Sequence, residues 1–522
     1  LGVRTNPLEH VRPEYSSEVL AQKARDLIRQ IGYTDSFRDD AYGFGWDEEQ
    51  IDHIRTNDVP EPRWDMVLAQ SPAPLIFWYR RSPFALTALQ FHQDLLTPGI
   101  VDPEDPPPIL SGMAQAIMDH DGRLRFFEAI PPQRQDPAVP TSVLDWAPLL
   151  SAAGLDATKL QPAEPEWNWL SGPDVRMAWT GSWPESGRPL RVEAAAYRGR
   201  PVGFLLIAPW TTPRRAPAAT PGRETVFVVV LFVLTVLMLA GAGVLARKNL
   251  REGRGDRRGA FRLACWMTLL LMALWVCQVH LVASVGLFAM FLVAIVTSVF
   301  YGVFAWTMYL ALEPFVRRLW PQTLVSWTTL LNNGARDPVV GRDVLFGAAI
   351  GLVLAIFIRG MALWTGTDAM AYPGSTDVLL GIRGTLATVL MRLAYAIRSA
   401  LFFFFLLFLF RALLRNRWAA AFAFAVLFAA LNALSSTNPL TDSTTTLVYF
   451  GLVGFAVLRW GLLSLTVSVF VGDLFLNMPT TRDFSAWYSG NMLLLVGLVI
   501  VLAGWAFYTS VGRQLFRKDL FA

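Results

Sequence analysis

Only two cysteines, Cys265 and Cys277, stand in a chain of 522 residues, and both fall inside one apolar run. Residues 1–224 therefore hold no disulfide framework. Histidine is nearly as scarce, with five in all, and His10, His53, His92 and His120 show no metal-ligand spacing. Charged residues make up 16% and apolar ones 53%, with a mean hydropathy of +0.39. That balance excludes an ordinary soluble globular protein. No phosphate-binding loop, nucleophile elbow, zinc motif or dinucleotide fingerprint occurs, and no metal or cofactor is implied. The "GAG" at 241–243 lies inside an apolar run, where small residues signal close helix packing.

What is present divides unevenly. Residues 1–224 have ordinary polar composition and many prolines; residues 225–522 are built from apolar blocks of the roughly 20 residues that cross a bilayer. The expected fold is an α-helical polytopic membrane protein of about nine spans behind an N-terminal α+β domain of antiparallel hairpins. Predicted spans are 225–246, 261–281, 284–312, 344–363, 384–411, 418–434, 445–459, 460–476 and 488–510. The stretch 445–476 reads as one long tilted helix or as two short ones around Arg459-Trp460.

The formal net charge of +4 does not point to nucleic acid, because the basic residues gather in short loops beside apolar runs. Arg247 to Arg262, Arg317 to Arg342 and Arg411 to Arg417 form three such clusters, and Arg513, Arg517 and Lys518 a fourth. The intervening loops 365–377 and 435–446 carry no positive charge, and 474–487 carries only Arg482. The positive-inside rule then puts the clusters and the C-terminus in the cytoplasm, provided 445–476 is a hairpin. Residues 1–224 are expected in the periplasm of a bacterial cell, anchored in its inner membrane.

Within the bilayer, charged residues mark candidate functional positions. Arg392, Arg398 and Asp473 lie inside predicted spans, as do Arg359 and Arg459 nearer the span ends. No series of Asp, Glu and His forms a proton relay. Residues near 315–331, with Trp320 and Trp327, suit an interfacial helix or a simple loop. The stretch "RDPVVGRDVL" holds Arg336, Asp337, Arg342 and Asp343 at the expected cytoplasmic mouth of the fourth span. Pro338 and Gly341 should break the preceding helix, and Asp343 should cap the span. These four residues form a candidate coupling turn for a cytoplasmic partner.

In the N-terminal part, Leu20, Ala24, Leu27, Ile28 and Ile31 predict an amphipathic helix over 17–31, closed by Gly32. Hairpins are predicted over 64–81, 112–130 and 190–208. The many tryptophans suit a core together with a face resting on the membrane.

The order of several uncommon motifs carries a resemblance. "EVLAQKARDLIRQIGY", "FWYRRSP", "DPPPILSGM", "DGRLRFFEAIPPQ", "LRVEAAAYRGRPVGF", "MYLALEPFVRRLWPQTLVSWTTLL" and "RDPVVGRDVL" are similar to the region following the kinase domain in large bacterial membrane-anchored serine/threonine protein kinases. The kinase's own motifs are absent here, so no catalytic residue is assigned. The non-Met start fits a kinase domain lying upstream. The resemblance implies a sensory or regulatory membrane module with an unknown ligand or partner at the exoplasmic domain. It also implies a kinase domain or other protein at the cytoplasmic face. A structural or accessory subunit packed within a larger membrane complex is the other expectation.

Overall fold

The computed structural model describes residues 5–57, 64, 67–68, 70–93, 95–134, 143–215, 222–364, 374–436 and 438–511. Helix α1, Ser17–Gln30, buries Leu20, Ala21, Ala24, Leu27 and Ile28 along one stripe. Gly32 then takes the chain out of the helix at φ 98°. The stripe packs on an antiparallel sheet of eight strands: β1 Asp39–Trp46, β2 Leu75–Ser82, β3 Ala114–Asp119, β4 Leu124–Ala129, β5 Gln161–Ala163, β6 Val175–Ser182, β7 Pro189–Tyr197 and β8 Arg200–Ile207. Across the sheet they run β1-β2-β3-β4-β8-β7-β6-β5.

Two of the three predicted hairpins form. The β7–β8 pair turns through Arg198 and Gly199 at φ 51° and 73°, a twist that matches the strands it joins. The 64–81 hairpin does not form, since Trp64, Val67 and Leu68 are helical. Strand β2 instead pairs with β1 over the full register Asp39↔Ser82 to Trp46↔Leu75 and with β3 on its other side. A distant strand of matching length outcompetes the local one. On the far face, Arg80 is buried and binds the proline-rich link through the carbonyls of Asp102 (2.7 Å) and Pro106. Burial pushes its pKa down to about 10.

The helices that follow the sheet in the chain are α2 Gly222–Arg251, α3 Arg257–Gln278, α4 Val285–Leu319, α5 Val325–Leu331, α6 Pro338–Trp364, α7 Gly381–Leu414, α8 Arg417–Ser435, α9 Pro439–Asn477 and α10 Ser489–Val511. Among the described residues eight of them, all but α5, are long and apolar enough to cross a membrane. The loops touching the N-terminal domain lie at one end of the bundle, here the domain face. The described basic clusters lie at the other end, the basic face. The basic tail at 513–518 and most of the 365–377 loop lie outside the described residues.

Helix α4 runs on to Leu319 with Pro314 inside it. Proline takes away the N–H that Leu310 C=O would accept. Asn249, buried on α2, donates to that carbonyl at 2.9 Å and so lets the helix continue. The expected interfacial helix near 315–331 is thus divided into the end of α4, a turn at Pro321–Thr323 and the short α5.

Helix α9 has two arms that meet at Gly461, where φ is 85° and ψ −166°. The first arm passes α8 antiparallel: Trp418 meets Phe455, and Phe428 stacks on Phe450 with centroids 4.0 Å apart. The second passes α6 in parallel, from Ser464 Oγ on Asp343 C=O (2.8 Å) to Phe475 and Leu476 beside Arg359. Helices α6 and α8 both start at the basic face, so the chain turns back at Gly461. Only glycine fits there, because a Cβ would fall 2.3 Å from Thr323 C=O. Along the second arm, Gly347 and Gly351 of α6 sit over the carbonyls of Ser464 and Ser468, and small residues let the two backbones touch.

Gly461→Ala is expected to destabilise the protein by roughly 2 kcal/mol or more, from backbone strain and overpacking together. Gly360→Ala, with open space over the glycine, should be neutral or stabilising by up to about 1 kcal/mol. Thermal unfolding followed by tryptophan fluorescence in detergent compares the two; equal effects would exclude the turn as the cause.

His120, in the β3–β4 turn, is held below its ordinary pKa by burial, which outweighs the nearby Asp121 and Asp119. Its folded pKa lies below the unfolded one, so the unfolded chain binds more protons as pH falls through about 6.5. Stability that is complete at neutral pH is then lost on acidification. His120→Gln should flatten the difference in melting temperature between pH 7 and pH 5; an unchanged slope counts against this.

Candidate functional site

The N-terminal domain and the bundle meet through a junction built from distant parts of the chain. Arg359, near the end of α6, is 5% exposed. Its Nη1 donates to Thr5 Oγ1 at 2.6 Å, and its Nη2 to the carbonyls of Phe475 and Leu476 at 3.0 Å each. Those carbonyls belong to the last turn of α9, where the helix dipole favours a cation. Beside it, Asn6 Nδ2 donates to Met478 C=O at 2.9 Å, and Trp487 Nε1 donates to Pro13 C=O at 2.9 Å. Phe44 of β1 stacks on Trp487, and Leu379 and Tyr488 join the hydrophobic core of the N-terminal domain.

The other edge of the junction is polar. His280, just past α3, places Nε2 at 2.9 Å and 3.1 Å from the two oxygens of buried Asp39. Trp275 Nε1 donates to Pro98 C=O at 3.1 Å, and Thr376 Oγ1 to Phe44 C=O at 3.0 Å. Trp46 Nε1 reaches Gly374 C=O at 3.3 Å, while Trp64, Trp78 and Trp183 are buried in the domain. The tryptophans thus divide between the core and the face against the bundle.

Of the intramembrane residues singled out from the sequence, two come together. Arg392 Nη1 of α7 lies 3.1 Å from Asp473 Oδ2 of α9, and Asn477 Nδ2 donates to Asp473 Oδ1 at 3.1 Å. Arg398 takes a different direction, over the Tyr395 ring at 5.3 Å. Six positions along a helix turn a side chain well off the first one's face, so the two arginines do not share a site.

The turn 336–343 sits at the basic face, and its helix starts earlier than expected. Pro338 is the first residue of α6, and Asp337 Oδ1 accepts from Val339 N–H at 2.8 Å. Asp337 is therefore the residue that caps α6. Gly341 lies inside the helix, where a Cβ would meet Ala506 C=O at 2.7 Å. Asp343 is buried, with Arg342 held against it at 2.9 Å, while Arg336 is exposed.

A further polar knot at the basic face escaped the sequence reading. Glu313, buried on α4, accepts from Asp256 N–H at 3.1 Å and pairs with Arg317 at 3.0 Å. A carboxylate at the end of an apolar run, four residues before an arginine, is the signal that would have found it. Among the described residues no group of three or more His, Cys, Asp or Glu is placed to hold a metal ion. The arrangement is mechanical in kind: buried polar contacts lock the domain to the ends of α3, α6, α9 and α10.

Arg392→Met should cost about 1–2 kcal/mol, since it takes the opposing charge away from the half-buried Asp473 carboxylate, which keeps the hydrogen bond from Asn477. Adding Asp473→Leu should restore most of the loss. Thermal unfolding of the three proteins in lipid nanodiscs reads this directly, and a double variant no better than the single would remove the pair as the cause.

No protein-family model, curated protein or solved structure matches this chain.

Proposed function

We propose that this chain is the membrane sensory or regulatory module of a serine/threonine protein kinase-like signalling protein. In this reading residues 1–224 lie in the periplasm, the basic face meets the cytoplasm, and the chain crosses the inner membrane nine times. The positive-inside pattern supports the orientation. The opposed arms of α9 support two crossings in 439–477.

The observation that carries the proposal is the path of α6. One end holds Thr5 through Arg359; the other begins at Asp337 and the turn 336–343. A shift of the domain that reorients Arg359 acts on a helix whose far end lies at the basic face. Signalling of this kind needs an element with two arrangements whose balance a ligand biases. The seam between α6 and the second arm of α9, where glycines ride on carbonyls, is the element best placed to slip. The kinase association rests on the motif order read in the sequence.

A structural subunit of a larger membrane assembly is the second reading. Gly490, Gly497 and Gly504 of α10 repeat every seven residues with open space over each, which suits a close partner helix.

With Cys265 and Cys277 replaced by alanine, single cysteines at Ser151 and Arg336 should react with a membrane-impermeant maleimide from opposite sides. Labelling of Ser151→Cys from the cytoplasmic side would overturn the orientation. In the full gene product, Arg336→Glu should alter signal-dependent phosphorylation while leaving insertion intact, because Arg336 is exposed at the turn. An unchanged response would exclude the turn as a coupling contact.

A further inference from the structure

A cavity of about 350 Å³ opens between α2 and α4 close to the basic face. From α2 it takes Gly243, Ala246, Arg247, Leu250 and Arg251, which share one helix face at three- and four-residue spacing. Across from them stands Trp306 of α4. Gly243 leaves open space where a side chain would be, and Ala246 adds only a methyl group, so the cavity has an apolar trough. Further along the two helices Val236 of α2 and Val303 of α4 continue these faces as exposed apolar surface.

Charge sets the rest. Arg247 and Arg251 are exposed at the cavity's mouth and have no acidic or hydrogen-bonding partner among the described residues. The nearby carboxylates are engaged elsewhere, Glu252 with Arg254 at 2.9 Å and Glu313 with Arg317 at 3.0 Å. Two free guanidiniums one helical turn apart present donors that match a phosphate. A trough running from them along lipid-facing surface matches an acyl chain.

We propose that this cavity is a resident site for one anionic phospholipid. The headgroup phosphate accepts hydrogen bonds from Arg247 and Arg251, and one acyl chain lies over Gly243 and Ala246 against Trp306. A zwitterionic lipid is disfavoured, because its headgroup cation would face two arginines, and among the described residues the nearby carboxylates of Glu252 and Glu313 are already paired. A headgroup held there would tie α2, which follows the N-terminal domain, to α4 at the basic face. The inference rests on the membrane embedding of the bundle and stands apart from the kinase association.

Native mass spectrometry of the detergent-purified protein, titrated with dioleoyl phosphatidylglycerol or dioleoyl phosphatidylcholine, tests it. One phosphatidylglycerol should be retained with at least tenfold preference. Arg247→Gln together with Arg251→Gln should reduce that retention at least tenfold. Gly243→Leu, which grows into open space, should abolish it without lowering the melting temperature. Equal retention of the two lipids, or undiminished binding by the double arginine variant, would overturn the proposal. So would full competition by millimolar inorganic phosphate, which marks a simple anion site. Disulfide cross-linking of a Gly243→Cys variant to a second copy would likewise show that a helix fills the trough.

Discussion

The buried guanidinium of Arg359 joins three parts of the chain that lie more than a hundred positions apart. It draws on Thr5 of the N-terminal segment, on the closing turn of α9, and on α6 that carries it. An arginine removed from water is tolerated only when its donors are satisfied. Here the last carbonyls of a helix, otherwise orphaned, supply two of the acceptors. The need is mutual, so these contacts hold domain and bundle in the registration seen here. The stacking of Phe44 on Trp487 and the Asp39–His280 contact follow from that registration.

Below the junction the same logic works through size instead of charge. Lipid tails are as apolar as leucine, so helices in a bilayer associate by close packing and polar contacts. Gly347 and Gly351 bring α6 onto the backbone of α9, and Ser464 spends its hydroxyl on Asp343 C=O. Gly461 turns the chain at the base of that seam, where Thr323 leaves no room for a side chain. Asn249 repairs the helix that Pro314 interrupts. Each device is a local answer to an unsatisfied backbone group or to a steric limit, and together they make the bundle's path unique.

Local pattern made much of the fold legible beforehand. The helix over Ser17–Gln30 follows from its apolar stripe, and the β7–β8 hairpin from its two-residue turn. Nonlocal pairing did not read through: β2 takes β1 as its partner, because eight matched residues outweigh a nearer segment that becomes helical. At the candidate site, Arg392 and Asp473 stood out as charges in apolar runs, yet only packing showed that they meet and that Arg398 turns elsewhere. The turn at 336–343 was visible as a polar break. Its capping residue was not, since Asp337 and Asp343 are equally suited by type.

By itself the sequence determined the change from polar to apolar composition near residue 224, the long apolar helices and the alternation of basic loops. Those properties depend on composition and short spacing, which lipid and water read locally. Only the tertiary structure decided which arginine is buried, that the chain doubles back at Gly461, and that Glu313, Asp39 and His280 hold parts together. Such contacts join residues far apart in the chain, and their strength depends on distance and burial that no local pattern encodes.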